Sequence, residues 1–218
     1  MRNKEKVKYY SPFEEKINII SHSIGVVLGI IGLVLLSIHA ISNGDIWHVI
    51  SFIIYGLSVI TLFLASTIYH STKKPNLRSR LRIFDHTSIY ILIAGTYTPL
   101  TLVTLHGLLG WTLLGIIWGL AIVGIVLKLF FTGKFTFVST LMYVLMGWMI
   151  VFAAKPLSIN FSSDGLFWLI LGGILYTVGA IIYSIKKIKL NHAVFHIFVL
   201  FASISHFIMV YIYVLPRI

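Results

Sequence analysis

Residues 17–41 read INIISHSIGVVLGIIGLVLLSIHAI, a run with two histidines and no other ionisable side chain. A membrane-crossing α-helix needs about 20 consecutive apolar residues. A soluble helix of this length would show a charged outer face, and this run has none. Six further apolar runs follow at approximately 47–70, 83–105, 109–131, 136–155, 165–186 and 191–215. The whole chain agrees with them: its 218 residues are 58% hydrophobic and 11% charged. A soluble domain would be about 45–50% apolar and about 25% charged. The expected fold is an all-α integral membrane protein, a seven-helix transmembrane bundle forming one domain over residues 1–218. Residues 1–16 read as a short basic tail. The first run exceeds a signal-peptide core, follows Glu14 and Glu15, and lacks a small-x-small cleavage site. The third run is interrupted at Gly95-Thr-Tyr-Thr-Pro99, where a kink is expected.

The loops alternate in charge. Arg2, Lys4, Lys6, Lys8 and Lys16 precede the first run, and Lys73, Lys74, Arg78, Arg80 and Arg82 follow the second. Lys128 and Lys134 flank the fourth loop; Lys186, Lys187 and Lys189 lie in the sixth. Only Lys155 and Arg217 fall on the other side, beside Asp45 and Asp164. The positive-inside rule puts the N-terminus in the cytoplasm and the C-terminus outside. Trp47, Trp111 and Trp168 then lie near outer ends, as an interfacial belt would. The net charge of +11 is accounted for by orientation, so no nucleic-acid partner is expected. The expected location is the plasma membrane, with no obligate protein partner.

With direction assigned, the polar residues inside the runs acquire depths. His70 closes the second helix at its cytoplasmic end, with Ser66 one turn deeper on the same face. Asp85 opens the third helix, and the pair His192-Ala-Val-Phe-His196 opens the seventh. All would lie within roughly 10 Å of the inner boundary. With no cysteine in the chain, a transition metal must be held by histidine and carboxylate. Three histidines with an open position make a catalytic-type zinc arrangement, and zinc lowers the pKa of a coordinated water to about 7. Asp85 could take a proton from that water, and Ser66 could stabilise an oxyanion.

Each residue also has an ordinary reading. An i, i+4 histidine pair is common in helices, and a helix-end histidine such as His70 suits an interface. Asp85 could pair with Arg82, and Ser66 could bond back to Leu62. Their shared depth favours the metal reading. His39, His48 and His106 read as interfacial. His86 points about 100° from Asp85 around the helix, and His206 lies about 15 Å along the helix from His196. On the first helix Glu14, Asn18, Ser21, His22 and Gly25 share a face. Glu14, Asn18 and His22 could support the site or touch a headgroup. Alternatively, the stripe buries polar groups against the seventh helix, with Gly25 allowing close approach.

Ser66-Thr-Ile-Tyr-His70, Arg82-Ile-Phe-Asp85-His86 with Ala94-Gly-Thr-Tyr-Thr-Pro99, and His192-Ala-Val-Phe-His196 form a combination in order and depth. Together with Glu14-Glu15-Lys-Ile-Asn18-Ile-Ile-Ser-His22, this combination resembles the progestin and adiponectin receptor family. Within it, the chain resembles the bacterial hemolysin III branch over essentially its whole length. The resemblance implies a zinc ion near the cytoplasmic face, held by the residues matching His70, His192 and His196. It implies that the residue matching Asp85 approaches zinc through water, beside the one matching Ser66. Alkaline ceramidases share this Ser, Asp and His set, and the receptors are suggested to cleave lipid amides. The bacterial branch takes its name from a reported haemolytic, pore-forming activity. Only 16 residues precede the first run here, where the receptors carry an extended domain, so a hormone-receptor role is not expected to transfer. The leading expectation is therefore a zinc-dependent hydrolase acting on an amide or ester of a membrane lipid. The alternatives are a non-enzymatic cytolysin with a structural zinc and a lipid sensor.

Overall fold

The computed structural model describes residues 8–132 and 134–215. Arg2, Lys4, Lys6 and Arg217, used in the charge argument, lie outside the described residues. All regular structure among the described residues is helical, and seven helices are long and apolar enough to cross a membrane. They are α1 (Pro12–Asn43), α2 (Ile46–Ser71), α3 (Pro75–Leu105), α4 (Gly107–Phe131), α5 (Phe137–Asn160), α6 (Ser163–Ser184) and α7 (Asn191–Val214). Short connections make successive helices antiparallel neighbours, and α7 closes the ring by packing on α6 and α1.

Two helices start well before their apolar runs, because helical geometry does not end where hydropathy does. α1 begins at Pro12, with the Ser11 hydroxyl capping the Glu14 N–H at 3.2 Å. α3 begins at Pro75, where a proline's fixed φ suits the first helical position. Asp85 therefore lies about 15 Å along α3, in its third turn rather than its first. Asp45 caps the α2 start, accepting from the Trp47 and His48 N–H groups at 2.9 and 3.1 Å.

The expected disturbance in α3 takes the form of a π-helical stretch, Leu100–Leu105, directly after Pro99. Proline removes a backbone donor and crowds the preceding turn. Hydroxyls bond back around it: Thr96 to the Leu92 carbonyl and Thr98 to that of Ala94, both at 2.8 Å. α5 is broken as well, which the apolar run did not disclose. Its first turns end at Gly147, and a 3-10 stretch, Met149–Ala153, leads into Ala154–Asn160. Tyr97 ties this break from α3. Its hydroxyl donates to the Gly147 carbonyl at 2.8 Å and accepts from the Ile150 N–H at 2.8 Å.

α2 and α3 are the most buried spans and α5 the least. Leu36, Phe52, Tyr55, Phe63, Tyr90 and Leu100 belong to the apolar core around them. The small residues of α1 do bring helices close, but Gly25 approaches α2 rather than α7. A Cβ there would run into the Phe63 ring, whereas a Cβ on Gly32 would lie 3.1 Å from Phe207 of α7. One end of the bundle carries the 72–74 and 185–190 connections with their lysines and is called the basic end below. At the other end, Trp47 and Trp111 meet edge-on with ring centroids 5.4 Å apart.

A candidate metal centre at the basic end

The last turn of α2 and the first two turns of α7 meet at the basic end. They bring His70, His192 and His196 together, all three buried. One ring nitrogen from each lies within 4.8 Å of the other two. Nε2 of His70 and Nε2 of His192 are 3.2 Å apart. Two nitrogens on one tetrahedral zinc at ~2.0–2.1 Å stand about 3.3–3.4 Å apart. The donor set is three imidazoles with no thiolate, which suits zinc and also other transition ions. A metal ion therefore fits these residues on both spacing and donor chemistry.

Carboxylate support for the cluster comes from Glu15. Its Oε2 lies 2.6 Å from Nδ1 of His70, so Nδ1 carries the proton and the Nε2 lone pair is left to face the cluster. Oε1 of the same carboxylate accepts from the Tyr10 N–H at 3.1 Å and from the Arg78 guanidinium. Arg78 is 1% exposed. Its Nη1 donates to the carbonyls of Tyr69, His70 and Thr72 at 3.0–3.1 Å, and its Nε donates to that of Lys8. Arg78 thus caps the C-terminal carbonyls of α2 and fixes the carboxylate that orients His70.

Neighbouring rings hold the other two histidines. Tyr10 stacks on His192 with centroids 4.4 Å apart and planes at 7°. Its phenol is pushed above the ordinary range, first by burial and then by neighbouring tyrosines and carboxylates. His22 stacks on His196 at 3.8 Å and 18°. The Asn18 side-chain amide packs against His70, 3.4 Å from Nδ1. Glu14 is also buried on this face, but the carboxylate touching a histidine belongs to its neighbour, Glu15. The face of α1 thus packs on α2 and α7 around the cluster, and Asn18 and His22 touch the histidines themselves.

The cluster borders a cavity of about 450 Å³. Asp85, Ser66, His22, His192 and His196 line one part of it, and apolar residues of α3, α5, α6 and α7 line most of the rest. Ser66 Oγ is buried and makes no bond back to Leu62. Asp85 lies outside the three-histidine group but on the same cavity. His86 also borders the cavity, despite its offset on the helix. Its Nδ1 is 3.5 Å from Asp85 Oδ2 and 2.8 Å from the Arg82 carbonyl. His206 is distant from the cluster, as its spacing requires, and reaches the Leu169 carbonyl through Nε2 at 3.2 Å.

Eight buried side-chain polar atoms among the described residues have no hydrogen-bond partner. Six of them belong to Asn18, His22, Ser66, His192 and His196. Native interiors contain few such atoms, so their concentration here marks a place built to meet something other than the protein itself.

Fold and cluster define a multi-pass integral membrane protein whose helices bury a three-histidine site able to hold a metal ion. The chain belongs to the haemolysin-III-related family, whose model matches residues 10–207. It is 50% identical to Hemolysin-3 of Bacillus cereus over 203 residues, 93% of either chain. It is 48% identical to the Hemolysin-3 homolog of Bacillus subtilis (strain 168) over 200 residues, 92% of this chain and 94% of that one. At 31% identity over 212 residues it also resembles the human monocyte to macrophage differentiation factor, across 94% of this chain and 87% of the other. Family and fold together place such a protein in the plasma membrane of a bacterial cell.

Proposed function

We propose that this protein is a zinc-dependent hydrolase that cleaves an amide or ester bond in a membrane lipid. The observation that carries the reading is a cluster of three buried histidines, two of which, His192 and His196, line an apolar-walled cavity together with a carboxylate and an unpartnered hydroxyl. His70, His192 and His196 would hold the ion, which supplies Lewis acidity toward a carbonyl and makes water nucleophilic near neutral pH. Glu15, fixed by Arg78, keeps His70 in the tautomer that presents Nε2. Asp85 removes the proton from the attacking water and returns it to the leaving group. Ser66 Oγ donates to the oxyanion that develops on the carbonyl. The apolar walls hold the lipid chain and keep bulk water from the reacting bond. The charge asymmetry of the loops supports a cytoplasmic side for this chemistry.

The test is a lipidomic comparison of membranes incubated with the wild type, with His196→Ala and with Asp85→Asn. A lipid consumed by the wild type alone, with a free acid released, supports the reading; unchanged lipid in all three sinks it. The names of the Bacillus relatives motivate a second reading, a cytolysin in which the ion is structural. Dye release from liposomes separates the two, because a cytolysin keeps releasing dye when Asp85 is replaced by Asn.

A further inference from the structure

The cavity wall holds a charge that this chemistry leaves unused. Lys128 sits one turn before the end of α4, where a lysine ordinarily snorkels to the interface. Here it is 4% exposed and lines the cavity together with Asp85 and His86. Its ammonium has no hydrogen bond and no ion pair among the described residues. The Asp85 carboxylate lies 3.5 Å from His86 Nδ1. An ammonium that faces a largely apolar cavity without an ion pair is costly at membrane depth, and such charges mark ligand pathways.

We infer that Lys128 is an anion subsite of this cavity, so its ligand is a lipid carrying a phosphate or carboxylate beside the histidine cluster. Lysine suits this task as a point charge with three rotatable donors. The remainder of the cavity argues for a lipid rather than a free anion. His196 and His206 both line it, and they stand ten residues, or ~15 Å, apart along α7. Apolar side chains such as Leu92, Ile150, Leu169 and Val199 border the space, which an inorganic ion would leave unfilled. The inference rests on the lipid-binding reading of the cavity and is independent of hydrolysis.

The experiment measures equilibrium binding of hexadecylphosphonate and hexadecanol, neither of which has an amide or ester bond to cleave. The full chain is held in phosphatidylcholine nanodiscs, and each probe competes with a fluorescent hexadecyl amphiphile. The wild type is expected to prefer the phosphonate by about tenfold or more, the worth of one charge-assisted hydrogen bond. Lys128→Gln brings the phosphonate to within about twofold of the alcohol, and Lys128→Arg keeps most of the preference. Hexadecanol affinity stays constant across the variants, which reports an intact cavity. Equal wild-type affinity for the two probes overturns the anion subsite alone. Failure of hexadecanol to bind the wild type overturns the lipid-binding reading with it. A preference that survives in Lys128→Gln but disappears on metal chelation assigns the anion to the metal site and overturns the role of Lys128. Competition by millimolar inorganic phosphate as effective as by the phosphonate overturns the lipid as source of the anion.

Discussion

Replacing Glu15 by Gln should weaken zinc binding without altering any proposed ligand. The carboxylate accepts three hydrogen bonds, from His70, Tyr10 and Arg78. The His70 contact, at 2.6 Å, fixes the ring's tautomer and orientation. Loss of such an outer partner costs roughly 10- to 100-fold in metal affinity. That corresponds to about 1.4–2.8 kcal/mol, in line with the worth of one hydrogen bond to a charged group. Folding should suffer as well. Removing one partner of a buried pair costs about 3–5 kcal/mol. Arg78 keeps four carbonyl partners and the Glu15 side chain is 15% exposed, which brings the expected loss to about 2 kcal/mol. Zinc affinity would be measured by chelator competition on purified protein, and stability by thermal unfolding with and without metal. Glu14→Gln is the control, because Glu14 neighbours Glu15 and no hydrogen bond joins it to a histidine among the described residues. Equal zinc affinity in Glu15→Gln and wild type, or an equal loss in Glu14→Gln, would refute the assignment of the orienting carboxylate.

Asp85→Asn should retain zinc and lose about 10²–10⁴-fold in turnover; loss of zinc together with activity would assign Asp85 to the metal instead. Ser66→Ala should retain zinc and lower kcat by about 10²–10³-fold, and an unchanged kcat would remove Ser66 from the oxyanion role. Tyr97→Phe leaves the Ile150 N–H and Gly147 carbonyl unpaired at the break in α5, and thermal unfolding should register a loss of about 1–3 kcal/mol. Asp45→Ala should cost about 1 kcal/mol at neutral pH through loss of the α2 cap. A hydrogen bond from His48 holds the Asp45 carboxyl below its ordinary range, with backbone donors adding to it. A depressed folded pKa means that the stabilisation is present above the unfolded value, about 3.9, and is lost as pH falls through the folded one. The wild-type advantage over Asp45→Ala should therefore vanish in acid, and an advantage that grows on acidification contradicts the sign.

Span number was legible because hydropathy reports lipid contact directly. The histidine triad was legible because charge alternation assigned depths to His70 and His192-Ala-Val-Phe-His196 before any contact was known. Helix starts were less so: Pro75 to Arg82 is helical but polar, so the apolar run concealed two turns and misplaced Asp85. Arg78 was read as one more loop charge, although four carbonyls and a carboxylate bury it. Its role depends on three segments meeting, which local pattern cannot express. Glu15 had a usable signal, because Glu15, Asn18 and His22 follow i, i+3, i+7 and share a face, and a metal-bound histidine needs a carboxylate behind it. The choice between adjacent glutamates depended on helix phase, and the i+4 spacing to Asn18 favoured Glu14. Lys128 reads in the sequence as a charge at the edge of the fourth loop, and nothing local reports that its side chain turns onto the cavity.

The central claim is that His70, His192 and His196 together hold one metal ion. Elemental analysis with X-ray absorption on metal-replete, purified protein tests it most directly. About one zinc per chain is expected, with nitrogen and oxygen neighbours at ~2.0–2.1 Å and loss of the ion in His70→Ala and in His196→Ala. Less than about half an equivalent in the wild type, or full zinc retained after either substitution, would contradict it.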